Sequence, residues 1–427
     1  MATTPATATA AAPSPIVAKN TFITTLLDAA VTPFRTPSFH QDTYRVSTLK
    51  PSDQRSLTDL KSKLAALFDG SRDDDADGDP SFFTIWGVPL LSSDERSDVV
   101  LLKFLRARDF KVADALQMLQ SCLTWRKEFG AESLLTENLG FKEIEGVVAK
   151  MSGVDREGHP VCYNAYGVFK DKEMYEKVFG DDEKLKQFLR WRVQVLERGI
   201  QMLDLRPGGV NSIIQVTDLK DMPKRELRVV SNQILSLFQD NYPEMVARKI
   251  FVNVPWYFSV LYSVFSPFLT QRTKSKFVIA KEGHTADILY KYIKPEDIPV
   301  QYGGLSRPSD PHTAPAKPAS EFILKGGEKL IIEIEGIEAC ASVTWEIAVG
   351  GWDLEYNTEF TPYAKGSYAV AVEKPRQVSS DEEAIHNSYT TNESGKLVLT
   401  LDNSASKRKK VGAYRYSISK GSALAYK

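Results

Sequence analysis

The chain has 427 residues, more than a single hydrophobic core ordinarily organises, so two or three domains are expected. A formal net charge of −1 argues against nucleic-acid binding through bulk charge and leaves any electrostatic targeting to local patches. The cysteines Cys122, Cys162 and Cys340 lie far apart with no C-x-x-C pair, which suits a reducing compartment and provides no metal framework.

Residues 1–45 read as a flexible tail, and the first part of it is rich in Ala, Thr and Pro without an acidic residue. A plastid transit peptide is the other reading of that composition, but Lys19 there has no arginine beside it. Residues 46–150 read as a helical subdomain. Leu57, Leu60, Leu64 and Leu67 recur at helical spacing, and the acidic run 72–80 lacks the distal Glu of a calcium loop. Ser92 and Glu95 form a capping-box pattern before the apolar run 99–105. Val112, Leu116, Leu119 and Leu123 mark the next helix, which ends near Gly130.

From 151 to 305 strands and helices alternate. The turn Asp155-Arg156-Glu157-Gly158 leads into a strand at 161–163, and Leu185, Leu189, Val193, Leu196, Ile200 and Leu203 form the stripe of a long helix. Strands at 213–216, 250–254 and 277–279, separated by helices, predict a mainly parallel sheet. Residues 306–320, with Pro308, Pro311, Pro315 and Pro318, read as a linker. In 321–427 apolar and polar residues alternate, as at Val343/Trp345/Ile347/Val349, Leu397/Leu399/Leu401 and Tyr414/Tyr416/Ile418, which predicts an all-β sandwich.

One segment needs a decision. No charged residue occurs between Lys249 and Arg272, but Pro255 and Pro267 leave an uninterrupted helix too short to span a membrane. The remaining helix at 256–265 is apolar nearly all round. It is either a core helix or a wall facing something apolar that is not protein, and periodicity does not separate the two.

Several stretches resemble the CRAL-TRIO lipid-transfer family. They are Leu101-Leu102-Lys103-Phe104-Leu105-Arg106-Ala107-Arg108, Trp125-Arg126, Asp155-Arg156-Glu157-Gly158-His159-Pro160-Val161 and Asp218-Leu219-Lys220. Gln239-Asp240-Asn241-Tyr242-Pro243-Glu244, Asn253-Val254-Pro255, Pro267-Phe268-Leu269 and Tyr302-Gly303-Gly304 follow in the same order. The β-rich end resembles a GOLD domain, and CRAL-TRIO followed by GOLD is the plan of the plant patellins. The long acidic N-terminal regions of some patellins have no counterpart here. The resemblance implies a multidomain protein: a helical N-terminal subdomain, an α/β lipid-binding domain and a GOLD-like sandwich.

The same resemblance implies a phosphatidylinositol- or phosphoinositide-binding transfer or presentation protein, cytoplasmic and peripheral to membranes in vesicle trafficking. The alternative is a trafficking adaptor that binds proteins through the GOLD domain. Trp256, Tyr257, Phe258, Val260, Leu261, Val264, Phe265 and Phe268 would form a gate over the lipid chains. Exposing about 30 methylenes to water would cost roughly 25 kcal/mol, so a carrier has to enclose them.

For the headgroup the resemblance implies Arg108, Glu244, Thr273 and Lys276, whose chemistry suits a phosphate and a ring of hydroxyls. The residues alone favour an ion pair between Glu244 and Lys276 and a helix-end role for Arg108. Asp109 subtracts positive charge beside Arg108, and Ile213 and Gln215 stand where choline-lipid binders present hydroxyls. Lys407, Arg408, Lys409 and Lys410 form a basic loop that suits an anionic membrane surface at about 1 kcal/mol per cation, or else a solvated or import-like patch. The five histidines form no metal pair, and no nucleophile elbow, P-loop or dinucleotide motif occurs, so no catalytic residue, metal or cofactor is expected.

Overall fold

The computed structural model describes residues 42–74, 83–223, 225–255, 275–308 and 318–420. The described residues fall into two units, Pro255 with residues 275–277, and residues 42–254 with 278–420.

The helical part of the larger unit opens with α1 (Pro51–Asp74), which buries Leu57, Leu60 and Leu64 on one face. A short hairpin, β1 (Thr84–Ile85) and β2 (Val88–Pro89), leads into α2 (Glu95–Ala107). Its cap differs from the expected Ser92–Glu95 box. Asp94 is the N-cap and accepts the Arg96 amide at 2.9 Å, while the Ser92 hydroxyl donates to the Pro89 carbonyl at 2.9 Å. A carboxylate at the cap answers both the unpaired amides and the helix dipole, and Glu95 then falls in the first turn. The next helix, α3 (Val112–Phe129), stops at Gly130, whose φ of 67° is the left-handed conformation that ends helices.

A five-stranded sheet follows in the order β3 (Ala149–Val154), β4 (Pro160–Ala165), β5 (Ile213–Asp218), β6 (Val246–Val254), β7 (Phe277–Lys281). β4, β5 and β6 are parallel, and β3 is an antiparallel edge. Parallel neighbours need crossovers. α4 (Lys172–Phe179) and α5 (Asp182–Ile200) supply one, and α6 (Arg228–Asn241) supplies the next. The register sets the residues of each face in rows. Val161 and Ile214 are wholly buried on one face, while Cys162, Gln215 and Lys249 form a row on the other.

α5 departs from a one-stripe helix. Its second half is buried nearly all round, including Arg192, Gln194 and Glu197. The helix lies in the core shared with α1–α3, so its polar side chains need partners inside the protein. Gln194 donates to the carbonyls of Leu134 and Glu137, and Glu197 accepts from Arg126 at 2.7 Å and from the Tyr242 hydroxyl at 2.6 Å.

The C-terminal part is a sandwich of two antiparallel four-stranded sheets. One has the order β13 (Ile385–Thr390), β10 (Ser342–Val349), β15 (Lys410–Ser419), β8 (Ser320–Leu324). The other has β12 (Val370–Val378), β11 (Leu354–Pro362), β14 (Gly395–Asp402), β9 (Lys329–Ile337). Trp345 of β10 bonds across the core to the Tyr356 hydroxyl of β11 at 2.9 Å. The expected alternation fails at the end of β15, where Tyr416 and Ile418 are exposed. β8 pairs only as far as Tyr414, so the last residues of β15 lie at an edge.

The sheet and the sandwich share a core. Val161, Ile214, Ile298 and Leu305 belong to one apolar cluster with Ala348 and Ala413 of β10 and β15. Gly303 adopts a φ of 83°, and a Cβ on Gly304 would run into the Ile298 carbonyl, so the Tyr302-Gly303-Gly304 motif is a tight turn beside this junction. Glu346 of β10 accepts from Arg307, Arg415 and His386, and Arg307 also donates to the Ala384 carbonyl at 3.0 Å. Among the described residues, no helix is long and apolar enough to cross a membrane.

Candidate functional site

The expected headgroup residues Arg108 and Glu244 lie on distant segments that both touch α2: Arg108 caps it, and the Glu244 main chain bonds Lys103 within it. Arg108 is the C-cap, with its amide bonded to the Leu105 carbonyl and its Nη1 donating to the Ala107 carbonyl at 3.1 Å. The chain then turns sharply, with φ of 50° at Asp109 and 58° at Phe110. The Phe110 amide closes the turn on Leu105 at 2.8 Å, which leaves Asp109 exposed and Arg108 half-buried. Glu244 follows Pro243 and has a φ of 52°, a conformation a glutamate adopts only when its surroundings enforce it.

Lys103 bonds the main chain of this turn. Its side chain is fully buried, and the ammonium donates to the Glu244 carbonyl at 2.9 Å and to the Asn211 carbonyl at 2.6 Å. The same ammonium lies 5.0 Å from the Tyr44 ring centre, and the Arg106 guanidinium lies 4.2 Å from it. Arg106 pairs with Asp42 at 3.3 Å. Burial first, and the Glu244 carboxylate second, push the Tyr44 hydroxyl well above its usual value, so it stays protonated. Lys103, Arg106 and Arg108 thus gather positive charge on the last two turns of α2, where the helix dipole is negative.

Lys276 is described with the other unit, half-buried just before β7. Thr273 and the expected gate residues Trp256, Tyr257, Phe258, Val260, Leu261, Val264, Phe265 and Phe268 lie outside the described residues.

In the loop between β14 and β15, Lys407, Arg408 and Lys409 are exposed, and Lys409 lies 3.8 Å from Asp287. Lys410 differs from its neighbours. It begins β15, its side chain turns inward, and its ammonium donates to the Gly351 carbonyl at 2.8 Å. Burial lowers its pKa from the ordinary lysine value. The loop therefore presents the first three cations of the run to solvent.

Sequence reasoning missed the buried polar side chains around α5. Arg126 has its guanidinium between Glu197 and Glu132, and Arg192 bonds the Asn164 side-chain oxygen at 2.8 Å. In sequence these residues look like an ordinary solvated helix face. Asp155, Glu157 and His159 bring their ligand-type atoms close together in the β3–β4 turn. The Asp155 carboxylate there already accepts the Glu157 and His159 amides at 2.9 and 2.8 Å and bonds the His159 ring at 2.9 Å, as a turn staple does.

Comparison with known proteins agrees with this architecture. The CRAL/TRIO N-terminal domain matches residues 58–121, the CRAL/TRIO domain 144–304, and the Patellin-1-like C-terminal GOLD domain 325–410. Patellin-6 of Arabidopsis thaliana is 65% identical over 402 residues, covering 94% of this chain and 94% of that protein. Patellin-3 of the same plant is 47% identical, covering 89% of this chain and 78% of that protein. The phosphatidylinositol transfer protein SFH5 of Meyerozyma guilliermondii is 30% identical over 246 residues, covering 53% of this chain and 72% of that protein. With a CRAL/TRIO domain preceded by its helical subdomain and followed by a GOLD domain, the chain belongs to the patellin family.

Proposed function

We propose that this protein binds an inositol phospholipid and transfers or presents it at membrane surfaces in trafficking. The observation that carries the reading is the Lys103–Glu244 bond. It ties the Glu244 turn to the helix that ends in Arg108, about 7–8 Å further along the axis. A guanidinium on the one segment and a carboxylate on the other suit a phosphate and the hydroxyls of a sugar-like ring. Similarity to a protein named a phosphatidylinositol transfer protein supports the same reading.

In this reading Thr273 and Lys276 complete the headgroup contacts. The apolar stretch from Trp256 to Phe268 covers the acyl chains. Lys407, Arg408 and Lys409 give a salt-sensitive approach to an anionic leaflet. A transfer assay between donor vesicles carrying phosphatidylinositol and neutral acceptor vesicles tests it. Arg108→Ala is expected to lower phosphatidylinositol transfer at least about tenfold, the worth of one charged hydrogen bond. Transfer by the variant equal to that of the unaltered protein would refute the headgroup assignment.

A further inference from the structure

The sandwich has four sheet edges, and three of them are closed to further pairing. An open edge is a row of unpaired amides and carbonyls that another strand can join, and proteins block it with charge, proline or cover. β12 carries Pro375 between Lys374 and Arg376, and β9 carries Lys329, Glu333 and Glu335. Asn387 of β13 donates to Glu373 of β12, which ties that edge to the facing sheet.

The fourth edge is stepped. β8 has five residues and pairs with Lys410–Tyr414, half of the ten-residue β15. Residues 415–419 go on pairing with β10, but among the described residues no strand pairs with their other side. Tyr416 and Ile418 stand opposite Trp345 and Val343, which are buried in the sandwich core. They are nevertheless 48% and 39% exposed, because β8 stops short of them. Neither charge nor proline occurs from Tyr416 to Ser419. Arg415, the cation at the start of the stretch, is committed to Glu346 on the other face of the sheet.

The stretch is self-complementary. Set antiparallel about Ser417, two copies place Tyr416 opposite Ile418 of the second copy on both sides of the axis. An aromatic against a β-branched side chain is a favourable cross-strand pair. Arg415 falls opposite Ser419 of the second copy, so no like charges face each other. The paired length equals the five residues that β8 leaves open. Ala413, where the α/β part packs on the sandwich, lies four residues from the axis in each copy, which sets the two junctions about 27 Å apart along the strands.

We propose that residues 415–419 of β15 are a homodimer contact, with a second copy of the chain pairing along this edge about a two-fold axis at Ser417. Tyr416 and Ile418 of each copy close the gap that β8 leaves beside the core. Five paired residues fall short of the roughly 800 Å² per partner of a standard interface, so the dimer is reversible and depends on concentration. The contact uses no residue of the headgroup set and does not rest on the inositol-lipid reading.

Sedimentation velocity of the full chain over about a hundredfold range of concentration tests it. The unaltered protein is expected to pass from monomer to dimer and no further, because the pairing consumes the open edge. Ile418→Lys sets a charge on that edge and is expected to weaken dimerisation at least about tenfold, with phosphatidylinositol binding unchanged. A second measurement uses a Cys340→Ser background, which removes the exposed native thiol. There Ser417→Cys brings two thiols together at the axis and is expected to give a covalent dimer on mild oxidation. Ser404→Cys, exposed in the loop after β14, is expected to remain monomeric.

A chain that is monomeric at every concentration overturns the proposal, even where some other extended peptide occupies the edge. Growth into larger oligomers overturns it, as does dimerisation of unchanged strength in I418K. Crosslinking through Ser417→Cys no faster than through Ser404→Cys also overturns it, and this comparison decides if I418K does not fold.

Discussion

The Lys103 ammonium donates to the Glu244 carbonyl at 2.9 Å, joining a helix to a turn 141 residues further along the chain. A lysine buried this completely is tolerated because two backbone carbonyls and an aromatic face receive its charge. Lys103→Met keeps the bulk and leaves the Asn211 and Glu244 carbonyls without their donor. It is expected to destabilise the protein by about 2–3 kcal/mol in denaturant melts. Because the Glu244 φ of 52° is no longer held, inositol-lipid affinity is expected to fall as well.

The Arg126–Glu197 pair separates buried from exposed electrostatics within one cluster. Both side chains are nearly inaccessible, whereas the Glu132 side chain, which also meets Arg126, is 64% exposed. Glu197→Ala removes the buried partner of the guanidinium, leaving it only the exposed Glu132, takes the acceptor from the Tyr242 hydroxyl, and is expected to cost about 3–5 kcal/mol. Glu132→Ala is expected to cost less than about 1 kcal/mol. Equal losses in parallel denaturant melts would contradict this assignment of burial.

The junction with the sandwich carries an acid-sensitive contribution. Burial opposes ionisation of Glu346, but donation from Arg415, His386 and Arg307 holds its carboxyl below the ordinary 4.5. A carboxyl depressed on folding contributes stability that is fully present above its unfolded pKa and lost as pH falls through its folded pKa. Stability is therefore expected to decline as pH falls below about 4.5. Glu346→Gln is expected to be less stable at neutral pH and to show a flatter decline in thermal melts between neutral and acid pH.

The basic run divides by environment, with Lys407, Arg408 and Lys409 exposed and Lys410 buried. Replacing Lys407, Arg408 and Lys409 with alanine is expected to weaken co-sedimentation with anionic vesicles by about 1 kcal/mol per cation at low salt, with the difference shrinking as salt rises. Lys410→Ala is expected to leave vesicle binding unchanged and to lower the melting temperature, because it removes the donor to the Gly351 carbonyl.

Much of this architecture is legible in the residues. The i, i+3 and i, i+4 leucines of α1 and the period-two runs of β10 and β14 read directly, because each element turns one apolar face to a core. Side chains whose burial depends on distant partners do not read this way. Lys103, Arg192 and Glu197 have the spacing of solvated positions, and only the packing of α2 and α5 inside the fold buries them. Lys410 looked like one more cation in a basic run because nothing local reveals that β15 starts there and turns it toward Gly351. The capping box at Ser92 misled for a related reason: Asp94 is an equally good cap and lies closer to the first buried turn.

The central claim is that the chain encloses an inositol lipid whose phosphate Arg108 and Lys276 hold. Native mass spectrometry of the full-length protein, incubated with vesicles of phosphatidylinositol and phosphatidylcholine, tests it most directly. The expected spectrum shows one phosphatidylinositol retained by the unaltered protein and lost from folded Arg108→Ala and Lys276→Ala variants. A spectrum with no bound lipid, or with phosphatidylinositol retained equally by both variants, would contradict the account.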